Sequence, residues 1–255
     1  MAKSIRPIAL ITGGSRGLGR NTALNLARRG VDVFLTYRSR ADEAKAAVAE
    51  VEAAGGRAAA LALDTGAVAT FPAFVAALKK TLQENWQRDR FDYLVNNAGT
   101  GLRKPIAETT EQEFDTLMNI HLKGVFFLTQ ALLPLINDGG RIINISSGLA
   151  RFSVPGSAAY AMMKGGVEVF TRYLAKELAA RRITANTVAP GAIATDFNGG
   201  HVRDDADINR VVAGMTALGR AGVADDIGPM IASLLSEDNR WVNAQRIEVS
   251  GGMNI

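Results

Sequence analysis

No cysteine occurs among the 255 residues, so disulfides, thiolate metal sites and thiol nucleophiles are excluded. Only two histidines are present, His121 and His201, which argues against a zinc site. No apolar run approaches the ~20 residues of a membrane-spanning helix, and the opening MAKSIRPIALIT lacks the long apolar stretch of a secretory leader. The net charge of +4 comes without a basic block interleaved with aromatics, which argues against a nucleic-acid partner. Arg28–Arg29 and Arg181–Arg182 stand where helices are expected to end, and there cations complement the helix dipole. The expectation is a soluble, cytoplasmic chain with no metal, membrane or nucleic-acid partner.

What is present reads as an ordinary globular composition, 47% hydrophobic and 21% charged. Short β-rich runs alternate with longer helical stretches: 8–12, 31–37, 57–63, 91–97, 141–146, 183–189 and 245–250 read as strands. The helix signal is strongest in ADEAKAAVAEVEAAG, with i,i+4 charge pairs and Gly55 at its stop. Such alternation predicts an α/β fold, a doubly wound parallel sheet with helices on both faces. No linker or repeat divides it, so residues 1–255 read as a single domain. The segment 192–222 is polar, glycine-containing and poorly periodic, and reads as a flexible substrate loop or lid.

Gly13, Gly14, Gly17 and Gly19 fall between the first strand and the first helix. In a doubly wound sheet that turn lies at the carboxyl ends of the strands, where ligands collect. A turn without Cβ atoms lets a phosphate approach the backbone amides and the positive end of the next helix. A purely structural tight turn is the alternative. A Walker A loop is a near miss, because Arg20-Asn21 stand where Lys-Ser/Thr is required. The second strand ends Thr36-Tyr37-Arg38-Ser39-Arg40, without the carboxylate that binds a ribose 2′-hydroxyl in NAD-specific folds. Asp32 comes too early and Asp42 opens the next helix. Arg38 and Arg16 instead suit a 2′-phosphate. NADP(H) is therefore expected over NAD(H).

Tyr160-x-x-x-Lys164 lies on a helix candidate, which places both side chains on one face. Ser147 stands at the end of the fifth strand. TGGSRGLG (12–19), NNAG (96–99), Asn119, Ser147, Tyr160-x-x-x-Lys164 and PGAIAT (190–195) occur in the order and spacing of one family. From Ile8 to the SGGM near the C-terminus, the chain resembles the short-chain dehydrogenases/reductases. The resemblance implies a seven-stranded Rossmann-type sheet, a nicotinamide cofactor, and interconversion of a small-molecule carbonyl and alcohol. It also implies a homo-oligomer, often a tetramer, for which the apolar stretch 124–136 is suitable, as it is for a monomer's core.

Reducing a ketone delivers hydride to carbon and a proton to oxygen, so the oxygen needs a donor. Tyr160 is the expected acid, or the base in oxidation. A phenol pKa of ~10 is too high for a base at neutral pH. An ammonium at roughly 5 Å, with an effective dielectric of about 20, favours the phenolate by ~3 kcal/mol. Lys164 is expected to lower the phenol in that way and, as the resemblance implies, to hold the nicotinamide ribose. Ser147 would position the substrate oxygen; Asn119, otherwise a helix residue bonding its own backbone, would by the resemblance link Lys164 to solvent through water. His121, two residues on, is expected to point elsewhere.

By the same resemblance, Ser15, Leu18, Tyr37 and Ser39 join the glycines and arginines around the cofactor. Asp64 and Thr65 follow the third strand near the adenine. Asn96, Asn97, Ala98 and Gly99 shape the end of the fourth strand, and Pro190, Gly191, Ile193 and Thr195 approach the nicotinamide. Leu149, Phe152, Val154 and Phe197 are expected to line an apolar substrate pocket, with Arg151 and Arg103 either near it or solvated. Two alternatives remain at this point. One is a 3-oxoacyl-carrier-protein reductase, for which Asn137-Asp138 are unsuited but Arg181 leaves room. The other is an NADP-binding sensor without turnover.

Overall fold

A computed structural model describes residues 6–255. Residues 1–5, part of the opening segment read above for a leader, lie outside the described residues. The strands are β1 (Ile8–Ile11), β2 (Asp32–Tyr37), β3 (Ala58–Ala62), β4 (Phe91–Asn96), β5 (Ile136–Ile145), β6 (Thr184–Pro190) and β7 (Arg246–Val249). They form one sheet in the order β3-β2-β1-β4-β5-β6-β7, and its ladders are parallel. The chain winds outward one way from β1 and the other way from β4. The crevice between those two strands is therefore the topological switch point, where such sheets hold ligands.

Between the strands run α1 (Gly17–Arg28), α2 (Ala41–Ala53), α3 (Phe71–Trp86), α4 (Glu111–Met118), α5 (Gly124–Leu132), α6 (Ala158–Glu177), α7 (His201–Asp204), α8 (Ala206–Gly214) and α9 (Ala224–Leu234). Successive strand residues face opposite sides, so a strand covered on both faces, such as β1, is apolar throughout. Ile8, Leu10 and Leu94 pack with Leu78 of α3, Leu132 of α5 and Leu174 of α6. Ala9, Ile11 and Val95 pack with Leu26 of α1, Val51 of α2 and Ile231 of α9 on the other face. Leu10 and Leu94 are fully buried, and truncating either to alanine is expected to cost about 2–5 kcal/mol.

Two stretches differ from the sequence reading. β5 starts at Ile136 rather than 141, because Ile136 pairs with Phe91; the register then shifts, and the ladder resumes with Tyr93 opposite Arg141. The segment 192–222 holds α7 and α8. Asp205 caps α8 by accepting from the amides of Asp207 and Ile208 at 2.9 and 3.0 Å. Helices this short leave little periodicity to read. Among the described residues, no helix is long and apolar enough to cross a membrane.

Candidate active site

The glycine turn is shaped by two requirements. Gly13 and Gly17 have φ of +63° and +53°, where a Cβ is strained. Gly14 and Gly19 instead serve packing. A Cβ on Gly14 would stand 2.6 Å from Leu35 Cβ, and one on Gly19 would overlap the Gly13 carbonyl and lie 2.6 Å from Asn97 Nδ2. The absence of side chains thus reflects the seating of α1 on β1, β2 and β4 as well as room for a ligand.

The turn is clasped to β4 by Thr12. Its hydroxyl accepts from the amides of Asn97 and Ala98, both at 2.9 Å. The Asn97 side chain donates back to the carbonyls of Thr12 and Gly13 at 2.9 and 3.1 Å. Arg16, at the N-cap of α1, makes no side-chain cap, and the first turn carries no acidic residue. The first-turn amides and the dipole's positive end are thereby left for an anion, as a diphosphate requires. Ser15 is buried and Leu18 half-buried in this turn.

Beyond it, Tyr37 closes β2 half-buried, with Arg38 and Ser39 exposed. The neighbouring arginines are engaged, Arg20 by Glu50 and Arg40 by Glu43. Arg16 and Arg38 form no ion pair among the described residues and are exposed. Two unopposed guanidinium groups beside a helix N-terminus fit a phosphorylated adenosine ribose.

Asp64 accepts from the Gly66 amide at 2.9 Å, while Thr65 is buried with its carbonyl against Gly124. Pro190 ends β6, and the Gly191 amide donates to the Val249 carbonyl at 3.1 Å. Ile193 bridges to Gly222, and Thr195 lies beside Gly17. Asn96 shapes the end of β4 from inside the sheet. Its side chain is buried, donating to Thr129 Oγ1 at 3.0 Å and Asn144 Oδ1 at 2.8 Å. It thus ties β4 to β5 and α5 rather than facing the crevice.

Tyr160 and Lys164 sit one turn apart near the start of α6, facing the end of β5. Lys164 is buried; its ammonium donates to the Ile145 carbonyl at 2.8 Å and lies 5.5 Å from the centre of the Tyr160 ring. Ser147 Oγ accepts from the Leu149 amide at 3.2 Å, and its hydroxyl stands near enough to Tyr160 to act on the phenol. Burial pushes the Tyr160 phenol well above its ordinary value, opposed by the nearby Ser147 hydroxyl. Burial also lowers Lys164 to about 8. The sequence suggested an acidified phenol; burial pushes it the other way, and the Lys164 ammonium donates to the Ile145 carbonyl.

Asn119 follows α4 and opens a π-helical turn, Asn119–Lys123, that packs against α6. Such single turns interrupt helices frequently at functional sites. The same turn carries His121, and here too the structure corrects the expectation. His121 is buried and stands edge-on to Tyr160, with ring centres 5.2 Å apart. A Cβ on Gly99 would come within 2.6 Å of its Cε1, so Gly99 makes room for the imidazole.

Phe197 lies over the open side, 6.1 Å from the Tyr160 ring. Leu149, Phe152 and Val154 are half-buried nearby in the chain, and Arg103 is exposed. Arg151 is neither in the pocket nor freely solvated. It forks onto Glu248 at 2.7 and 2.6 Å.

The chain matches the model of a family described as enoyl-(acyl carrier protein) reductase over residues 13–254. Hydroxynaphthalene reductase-like protein Arp2 of Metarhizium brunneum is 35% identical over 256 residues, 96% of this chain and 94% of that protein. Among solved structures, the promiscuous reductase LugOII catalyses keto-reduction at C1 in lugdunomycin biosynthesis. It is 37% identical with a TM-score of 0.93, covering 99% of this chain and 100% of its own. The angucycline C-6 ketoreductase LanV, solved with bound NADP, is 34% identical with a TM-score of 0.93, covering 98% and 96%. This chain belongs to the short-chain dehydrogenase/reductase family.

Within this short-chain dehydrogenase/reductase, the residues carried over from the family's motifs fall along the carboxyl ends of β1, β2, β4, β5 and β6, Asn96 turning inward. Sequence reasoning missed Thr12, which latches the glycine turn, and the charged group around Glu168 and Arg246. The latter pair is joined at 2.8 Å across 78 positions, a distance at which no local pattern gives a signal.

Proposed function

We propose that this short-chain dehydrogenase/reductase is an NADP(H)-dependent ketoreductase, reversible as a secondary-alcohol dehydrogenase. The single observation that carries the reading is the convergence of Tyr160, Ser147 and Lys164 beside the switch-point crevice. The cofactor's place is supported by the bare α1 terminus, the unopposed Arg16 and Arg38, and LanV's bound NADP. When bound, the cofactor supplies hydride to the carbonyl carbon.

Tyr160, kept protonated by burial, gives its proton to the carbonyl oxygen as charge develops there. Ser147 donates to the same oxygen and orients it. Lys164 holds positive charge 5.5 Å from the centre of the phenol ring and would hold the cofactor's ribose, while Asn119 at the π turn would lead protons back to it through water. Phe197, Leu149, Phe152 and Val154 offer an apolar wall, with 192–222 acting as the lid. LanV has also been solved with NADP and rabelomycin, which favours a polycyclic ketone here.

Exposed Phe126, Phe127, Val169 and Tyr173 on α5 and α6 suit a homotetramer interface, and a cysteine-free, nicotinamide-dependent enzyme suits the cytoplasm. The carrier-protein alternative loses support from Arg181, which is occupied by Asp138 at 2.8 Å and by the Leu133 carbonyl at 2.8 Å. The test is NADPH oxidation with a panel of bicyclic ketones, diketones and β-ketoacyl thioesters. Tyr160→Phe is expected to abolish turnover with NADPH affinity kept within a few-fold. A fully active variant refutes the acid, and cofactor binding without turnover of any carbonyl favours the sensor.

A further inference from the structure

Beneath Ser147 lies a chain of four charged side chains drawn from three distant parts of the sequence. Glu168, on α6 one turn after Lys164, accepts from Ser146 Oγ at 2.6 Å and from Arg246 Nε at 2.8 Å. Arg246, on β7, also donates to Glu248 at 2.9 Å and to the Ser147 carbonyl at 3.3 Å. Glu248 is in turn forked by Arg151, which donates onward to the carbonyls of Met253 and Asn254 at 2.8 and 3.1 Å. The charges balance, two guanidinium groups against two carboxylates. Three of the four side chains are mostly shielded, Glu168 13%, Glu248 16% and Arg246 25% exposed, while Arg151 lies at the surface. Partly buried, hydrogen-bonded charges of this kind hold geometry more than they add stability.

We propose that Arg246 is a positioning residue for Ser147. Its planar fork, fixed between Glu168 and Glu248, pins the Ser147 carbonyl and so aims the serine hydroxyl at Tyr160. Ser146 is held to α6 by the same Glu168, so the serine loop and the helix bearing Tyr160 and Lys164 move as one unit. Lysine cannot replace the fork, since an ammonium lacks its fixed planar geometry. The proposal rests on the reading of Ser147 as a substrate-orienting donor.

A double-mutant cycle tests it, with steady-state NADPH-dependent reduction of 2-tetralone by the full chain. Ser147→Ala is expected to lower kcat about 100-fold, and Arg246→Gln about tenfold with KM for NADPH unchanged. The double variant is expected to match Ser147→Ala alone, because Arg246 acts through the hydroxyl already removed. Multiplying losses overturn the proposal and leave the role of Ser147 standing. A Ser147→Ala enzyme with wild-type kcat overturns that role and the proposal with it. If Arg246→Gln does not fold, Arg246→Lys enters the same cycle, with the same two outcomes.

Discussion

The imidazole of His121 stands perpendicular to the phenol of Tyr160, ring centres 5.2 Å apart and planes at 84°. Its Nε2 meets both the Thr100 carbonyl, at 2.6 Å, and the Thr100 amide, at 3.2 Å. Nδ1 is buried without a partner among the described residues. Burial and the nearby Lys164 ammonium hold the ring's pKa down to about 3.

A histidine kept neutral in the fold makes stability depend on pH. Between its ordinary 6.5 and the lowered value near 3, the unfolded chain binds a proton that the folded chain refuses. The stability contributed by neutral His121 is present above 6.5 and is lost as pH falls towards 3. Urea unfolding at pH 7 and pH 4.5 is expected to show a larger acid loss for wild type than for His121→Phe. Equal losses would mean that the ring protonates freely in the folded state.

Lys164 has the same sign of shift, and there it bears on activity. Its pKa is lowered from 10.5 to about 8 by burial, so the folded state sheds the proton first. Reductive kcat/KM for NADPH is expected to fall above about pH 8 as the ammonium is lost, Tyr160 remaining protonated. The stability contribution of the same group rises over that range, because the unfolded state binds more protons. An activity loss tracking a melting transition would contradict this assignment.

Arg38→Asp is expected to weaken NADPH by about 1.5–3 kcal/mol, the worth of a hydrogen bond to a charged group, with a much smaller effect on NADH. Arg38 is exposed and paired with no carboxylate among the described residues, so little stability is at stake. Titration calorimetry with both cofactors decides it. Comparable losses for the two would remove the argument for the 2′-phosphate.

Gly19→Ala probes the packing role of the glycine turn. The added methyl meets the Gly13 carbonyl and the Asn97 amide group, neither of which yields without opening the Thr12 clasp. Overpacking of this kind costs about 1–3 kcal/mol. Lowered melting temperature together with weakened cofactor affinity is expected. A loss of affinity at unchanged stability would restore phosphate approach as the whole reason for the glycine.

Much of this was legible in the chain. Strand–helix alternation, doubly apolar strands and the glycine turn follow from periods and residue types that act over a few positions. The one-face placement of Tyr160 and Lys164 needs only helix geometry. The tertiary structure decided what depends on distant neighbours. Asn96 turns inward because Thr129 and Asn144 wait there. His121 meets Tyr160 because a π turn rotates it and Gly99 leaves space. Glu168 and Arg246 find each other only when α6 and β7 are folded together. The phenol's proton affinity belongs to this second class, since the desolvation that sets it is a property of the assembled site. Local periodicity encodes elements, but electrostatics in a buried site depends on everything packed around it.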